Sequence, residues 1–196
     1  MSVQRVYCHA SMAHELAAGL AALATALQVG DPTAADTEVG PLIRQREVTR
    51  VHEWVTEAIT AGAGKLCGGE VLSASCYAPT VLFNPPDDAR VSQQEIFGPV
   101  VCVYSYDELD AAIACANDLP MAFQAAVFTS ALDTALYCYH NLDAAAVMVN
   151  DHTAFRVDWM PFAGLRQSGM GVGGIPYTFH DMQIEKLLLV KSDALS

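Results

Sequence analysis

Between residues 100 and 149 the chain alternates short apolar runs with stretches of helical periodicity, and this alternation constrains the fold more than any other feature. Residues 100–104 are an uninterrupted apolar run. Asp107 stands where it would cap a helix to about Ala116. Residues 125–129 read as a second strand, Ser130 as the cap of a helix to about His140, and residues 145–149 as a third strand. Strands joined by helical crossovers pair in parallel, and runs apolar on both faces are covered on both sides. The expectation is an α/β fold: a three-layer, mostly parallel sheet covered by helices, with ligands beyond the C-terminal ends of its strands.

The preceding residues extend the pattern. In MSVQRVYCHA, Val3 and Val6 read as inward positions of a half-buried strand and Gln4 and Arg5 as outward ones. Leu16, Leu20, Leu23 and Leu27 share one face of a first helix, capped by Ser11 and ended by Gly30. Residues 31–43 have the composition of a loop. Val48, Val51, Val55 and Ile59 line a second helix that stops at Gly62. Short strands follow at residues 65–67 and 80–83, with a turn at Asn84-Pro85-Pro86-Asp87. A short helix and a strand at residues 186–190 close the chain.

Composition narrows the function. With 53% hydrophobic and 16% charged residues, the chain is not disordered. Ten scattered basic residues against twenty-two acidic ones argue against a nucleic-acid partner. No apolar stretch has the length and purity of a membrane span, and no signal-peptide pattern is present, so a cytoplasmic protein without a membrane partner is expected. The six cysteines form no C-x-x-C pair and no zinc-ligand spacing, which reads as free thiols and no metal site.

Two stretches could carry chemistry. In Glu95-Ile96-Phe97-Gly98-Pro99, an extended backbone sends the Glu95 carboxylate and the Phe97 ring to one side. There they could grip a sugar diol and a flat ring, or the stretch could be an ordinary turn into a strand. In NDHTAFRVDWMPF (150–162), Phe155, Trp159 and Phe162 could wall a pocket mouth or anchor the loop. Asp151-His152 lacks both the geometry and the serine of a hydrolase triad. The glycines of residues 164–174 do not form G-x-G-x-x-G and suit close backbone packing instead.

EVGPLI, Gly68-Gly69, APTVL, QEIFGPVV, Ala116-Asn117-Asp118, AVFT, VMVND, MPFAG and QSGMGVGG occur in that order across nearly the whole chain. As a set they resemble the C-terminal part of the NAD(P)-dependent aldehyde dehydrogenases. The FRVDWMPF loop is most like the branch acting on lactaldehyde or glyceraldehyde phosphate. The resemblance implies an oxidoreductase using NAD or NADP on a small aldehyde, with residues 1–183 as an incomplete catalytic domain and residues 184–196 as an oligomerisation strand and tail. It implies that Glu95 binds the nicotinamide-ribose hydroxyls, Phe97 packs on the nicotinamide, Asn150 supports the active-site floor, and Phe155 and Phe162 border the aldehyde tunnel. Arg156 near the tunnel mouth would favour an anionic aldehyde, or else pair with Asp158 on the surface. Ala163, Met121-Ala122-Phe123 and Gln94 depart from the family pattern, and the Ala163 methyl puts the geometry at Phe162 in question.

By the same resemblance the nucleophilic cysteine would fall one residue before Met1, with the general base and the dinucleotide domain also upstream. Cys8 lies too far along its strand to replace that nucleophile. The 196 residues alone are therefore expected to oxidise no aldehyde. The alternatives to an enzyme fragment are a non-catalytic remnant and an assembly or binding module. A homo-oligomer, or pairing with a missing N-terminal half, is the expected association.

Overall fold

The apolar run after Gly98-Pro99 forms β4 (Val100–Tyr106), an interior strand of a four-stranded sheet. The computed structural model describes residues 3–195. β1 (Arg5–His9) pairs in parallel with β4, β4 in parallel with β3 (Thr80–Phe83), and β3 antiparallel with β2 (Gly64–Cys67), giving the order β1-β4-β3-β2. The sheet is thus mixed, with parallel pairs at its centre.

Alternation along these strands feeds two cores. Val81 and Val103 pack with Ala17 and Ala21 of α1 (Ala10–Ala26). Leu82, Val100, Cys102 and Tyr104 pack with Val48, Val51, Trp54 and Val55 of α2 (Gln45–Thr60). One helix therefore lies on each face of the sheet, the three-layer arrangement expected of buried parallel strands.

The α2 reading holds: Val48, Val51 and Val55 are buried, Ile59 packs against the same core, and Gly62 follows the helix at φ +114°. The α1 reading needs correction. Its buried face is Ala13, Ala17 and Ala21, while Leu23 is 70% exposed and Leu16 and Leu27 are also outward. Small side chains let the helix approach the Val81–Val103 surface closely, where leucines would hold it off. Its N-cap is His9, whose side chain accepts from the Ser11 N–H; Ser11 itself lies inside the helix. Val3 is likewise not a core residue. It precedes the ladder, which begins at Arg5↔Cys102, and it is exposed.

The chain divides into two compact units, Met1–Asp118 and Leu119–Ser196. The first also holds α3 (Arg90–Gln93) and α4 (Leu109–Asn117), the latter with Glu108 rather than Asp107 at the N-cap position and no side-chain cap. In the second, β6 (Gln124–Val127) pairs in parallel with β7 (Ala146–Val149) across α5 (Leu132–Asn141). α5 starts after Ala131 without a cap from Ser130. β5 (Met121–Ala122) pairs antiparallel with β8 (Leu165–Arg166), and α6 (Ile175–Asp181) follows. Of the strands over 100–149, β4 belongs to the four-stranded sheet of the first unit, and β6 and β7 form the parallel pair of the second. The expected strand at 186–190 does not form. The segment has no ladder partner among the described residues, and Leu187, Leu188 and Leu189 stand almost fully exposed. No helix of the described residues is long and apolar enough to cross a membrane.

Candidate cofactor and substrate site

In the first unit both residues of the candidate pair lie at the bend entering β4, but the backbone is not extended there as the i, i+2 reading assumes, because Phe97 turns left-handed. Glu95 and Phe97 are exposed, while Ile96 between them is 1% exposed and inserted in the α2 core. One buried side chain thus anchors the loop and leaves a carboxylate and a 73% exposed ring free. Phe97 has φ +49°, a left-handed backbone that a bulky residue adopts only where the surroundings impose it.

Those surroundings are specific. The Ile96 N–H donates to Gln4 Oε1 (2.8 Å), and Arg50 Nη2 donates to the Ile96 carbonyl (2.6 Å). Gln4 Nε2 also donates to the carbonyls of Gln94 (2.7 Å) and Val91 (3.0 Å). Arg50 is itself held, with Nε on Glu47 Oε2 (2.8 Å) and its guanidinium 4.5 Å from the Trp54 ring centroid. Hydrogen bonds from Arg50 and Arg46 keep the Glu47 carboxyl below its usual range. Gly98 completes the bend: a Cβ there would lie 2.9 Å from Val51 Cγ2.

The sequence singles out Glu95 and Phe97 as candidates but not Gln4 and Arg50, which hold the loop that carries them. Gln4 reads as an outward polar position, and its partner carbonyls lie some ninety residues away, beyond any local pattern.

In the second unit Asn150 follows β7 at φ +57°. Its side chain accepts from the Thr129 N–H and donates to the Thr129 carbonyl, both at 2.9 Å, tying together the ends of β6 and β7. Phe162 forms a two-bond bridge with Gly173 and meets Phe123 edge to face at 5.0 Å. The Arg156 guanidinium lies 4.3 Å from the Phe162 ring centroid. Among the described residues it makes no ion pair with Asp158. Phe155 is half-exposed nearby in sequence, and Trp159 is exposed. His152 and Asp151 are spent on local turns, with Asp151 Oδ1 accepting from His152 N and His152 Nδ1 from Ala154 N. Close packing holds at two of the glycines, where a Cβ on Gly164 would lie 2.6 Å from the Ser168 backbone and one on Gly174 2.6 Å from the Met160 carbonyl, but not at Gly169 or Gly171, where a Cβ would meet only ordinary contact or open space.

The thiols are poor nucleophiles where burial acts on them. Cys8 and Cys138 are pushed up by burial, and Cys102 rises from 9.0 to about 12. No cluster of potential metal ligands occurs among the described residues.

The sequence profile of the aldehyde dehydrogenase family matches residues 1–187. The chain belongs to this family. Among aldehyde dehydrogenase relatives, the 3-sulfolactaldehyde dehydrogenase of Priestia aryabhattai is 38% identical over 190 residues, 97% of this chain and 40% of the relative. The fold matches aldehyde dehydrogenase 21 from Physcomitrella patens, solved with the reaction product succinate, at TM-score 0.86 and 34% identity, over 91% of this chain and 37% of that one. It also matches the glyceraldehyde-3-phosphate dehydrogenase of Methanocaldococcus jannaschii complexed with NADP, at TM-score 0.86 and 31% identity, over 91% and 38%. The chain spans about 40% of the length of the curated aldehyde dehydrogenases it matches. The family and α/β fold expected from the ordered motifs are thus borne out.

Proposed function

We propose that this chain supplies the nicotinamide-facing and substrate-facing elements of an NAD(P)-dependent aldehyde dehydrogenase that oxidises a short aldehyde to the carboxylic acid. The observation that carries the reading is the loop in which Glu95 and Phe97 stand exposed on either side of buried Ile96. This pair fits the cofactor's nicotinamide riboside. An ionised carboxylate has acceptors enough for two adjacent ribose hydroxyls, and a free aromatic face suits a planar ring. The chemistry NAD(P) supplies when bound is hydride acceptance.

Asn150 keeps the ends of β6 and β7 fixed beneath the substrate, and Phe155 and Phe162 border its path. Arg156 selects a short aldehyde with an anionic distal group. Its stacking on Phe162 leaves the guanidinium N–H donors without a hydrogen-bond or ion-pair partner among the described residues, so they are available to a carboxylate or sulfonate. The names of the relatives support that class, since sulfolactaldehyde carries a sulfonate and the product succinate a second carboxylate. In the same reading residues 1–183 are catalytic-domain sequence and residues 184–196 an oligomerisation strand and tail, supported by the unpaired apolar run at 187–190.

An NMR titration of the 196-residue chain with NAD tests the site. The Phe97 ring resonances should shift with an affinity on the order of millimolar, since few contacts are available, and Glu95→Ala should weaken the response. A titration without any Phe97 response, or one indifferent to Glu95→Ala, overturns the reading. The isolated chain should show no aldehyde oxidation, read as NADH absorbance; measurable turnover would contradict it.

A further inference from the structure

We infer that Gln4 and Arg50 are positioning residues that lock the Glu95–Phe97 loop in its presenting shape, an inference that rests on the cofactor role proposed for that loop. The Ile96 residue is held from both sides. Gln4 takes its N–H and so fixes the peptide plane before Ile96; Arg50 takes its carbonyl and so fixes the plane after it, the one that sets φ at Phe97. A phenylalanine at φ +49° relaxes toward negative φ unless both planes are fixed. Buried Ile96 sets the depth of the loop, but a single apolar anchor leaves rotation about the chain axis free. The two polar contacts remove that freedom.

Neither holder is loose. Gln4 uses its oxygen on Ile96 and its amide hydrogens on the carbonyls of Gln94 and of Val91 in α3, and its own carbonyl accepts from the Cys102 N–H (2.8 Å), which stitches it to β4. Arg50 is braced by Glu47 below and Trp54 alongside. The holders come from different directions, one from the lead-in to β1 and one from α2. A displacement of either element therefore reaches the cofactor loop directly. Gln4 lies one residue ahead of β1, so the cofactor loop and the start of that strand move as one body.

The test uses Gln4→Met and Arg50→Met in the 196-residue chain. Both keep side-chain bulk and remove the hydrogen bonds. Hydrogen exchange of the 95–98 segment should accelerate by about tenfold or more in either variant, because local opening no longer breaks those bonds, while β3 and β4 keep wild-type protection. The Phe97 response to NAD should weaken in parallel without a change in urea midpoint, a readout that a purely structural role would not move in isolation. Wild-type exchange at 95–98 in the variants overturns the inference. Faster exchange with an unchanged NAD response overturns it too. A wild-type chain silent to NAD refutes the cofactor reading instead, and the exchange arm still decides whether the lock exists. Should Gln4→Met fail to fold, Arg50→Met, at a partly buried position of α2, decides alone.

Discussion

Phe97 sits in a backbone region that glycine enters without steric cost. Phe97→Gly should therefore change stability by less than about 1 kcal/mol, strain relief offsetting lost ring contacts and added chain entropy, while abolishing the response to NAD; urea melts and the NMR titration read the two effects separately. Its neighbour behaves differently. Gly98→Ala places a methyl 2.9 Å from Val51 Cγ2, in a fully buried and stiff side chain, and should cost about 1–3 kcal/mol by urea melt. Cys102 and Tyr77 make a pH statement. Burial raises Cys102 from 9.0 and Tyr77 from 10.0, both to about 12. Raised folded values favour the native state while both groups are protonated. Their contribution is complete below pH 9 and declines as pH climbs from 9 through 12, because the unfolded chain releases these protons first. Denaturant midpoints measured across that window should fall, and native Cys102 should resist alkylation at pH 8 while exposed Cys115 reacts, as peptide mass mapping would show.

At the scale of elements, the alanine face of α1 is the feature to challenge. Ala17→Leu inserts bulk where the helix rests on Val81 and Val103 and should destabilise by about 1–3 kcal/mol, whereas exposed Leu23→Ala should stay within about 0.5 kcal/mol, by urea melt. A reading that ranks leucine above alanine gives the reverse order. That inversion shows what the sequence makes legible. Periodicity finds an element when one stripe is apolar and the rest polar, as in α2, where Val48, Val51 and Val55 alternate with charges. α1 is apolar almost all round, so its period says helix but not which face is inward. Capping was misread for a related reason. Asp107 and Ser130 are good cap residues by type, but Glu108 and Ala131 precede α4 and α5 without side-chain caps. That Glu95 and Phe97 share one short loop was legible from their local spacing, but the left-handed turn at Phe97 was not; nor were Gln4 and Arg50, since their partners are brought to them only by the β1–β4 pairing and the docking of α2.

For the molecule as a whole, the tail carries the clearest expectation. Leu187, Leu188 and Leu189 stand exposed without a ladder partner among the described residues, a run of apolar side chains that favours strand addition to another chain. Sedimentation of the 196-residue chain should show concentration-dependent self-association that Leu188→Glu reduces; a monomer at high concentration in both forms would count against the oligomerisation role of residues 184–196. The sheet carries a different consequence, one of time. β1 finds its place only against β4, so Arg5 has no ladder partner until Cys102 has been made. A parallel pairing across so much chain closes a long loop before any contact rewards it, which puts refolding on a scale of about milliseconds to seconds. On the ribosome, Gln4 and Arg50 emerge before the Glu95–Phe97 loop they hold, and the four-stranded sheet closes only when β4, the last of its strands to be synthesised, follows.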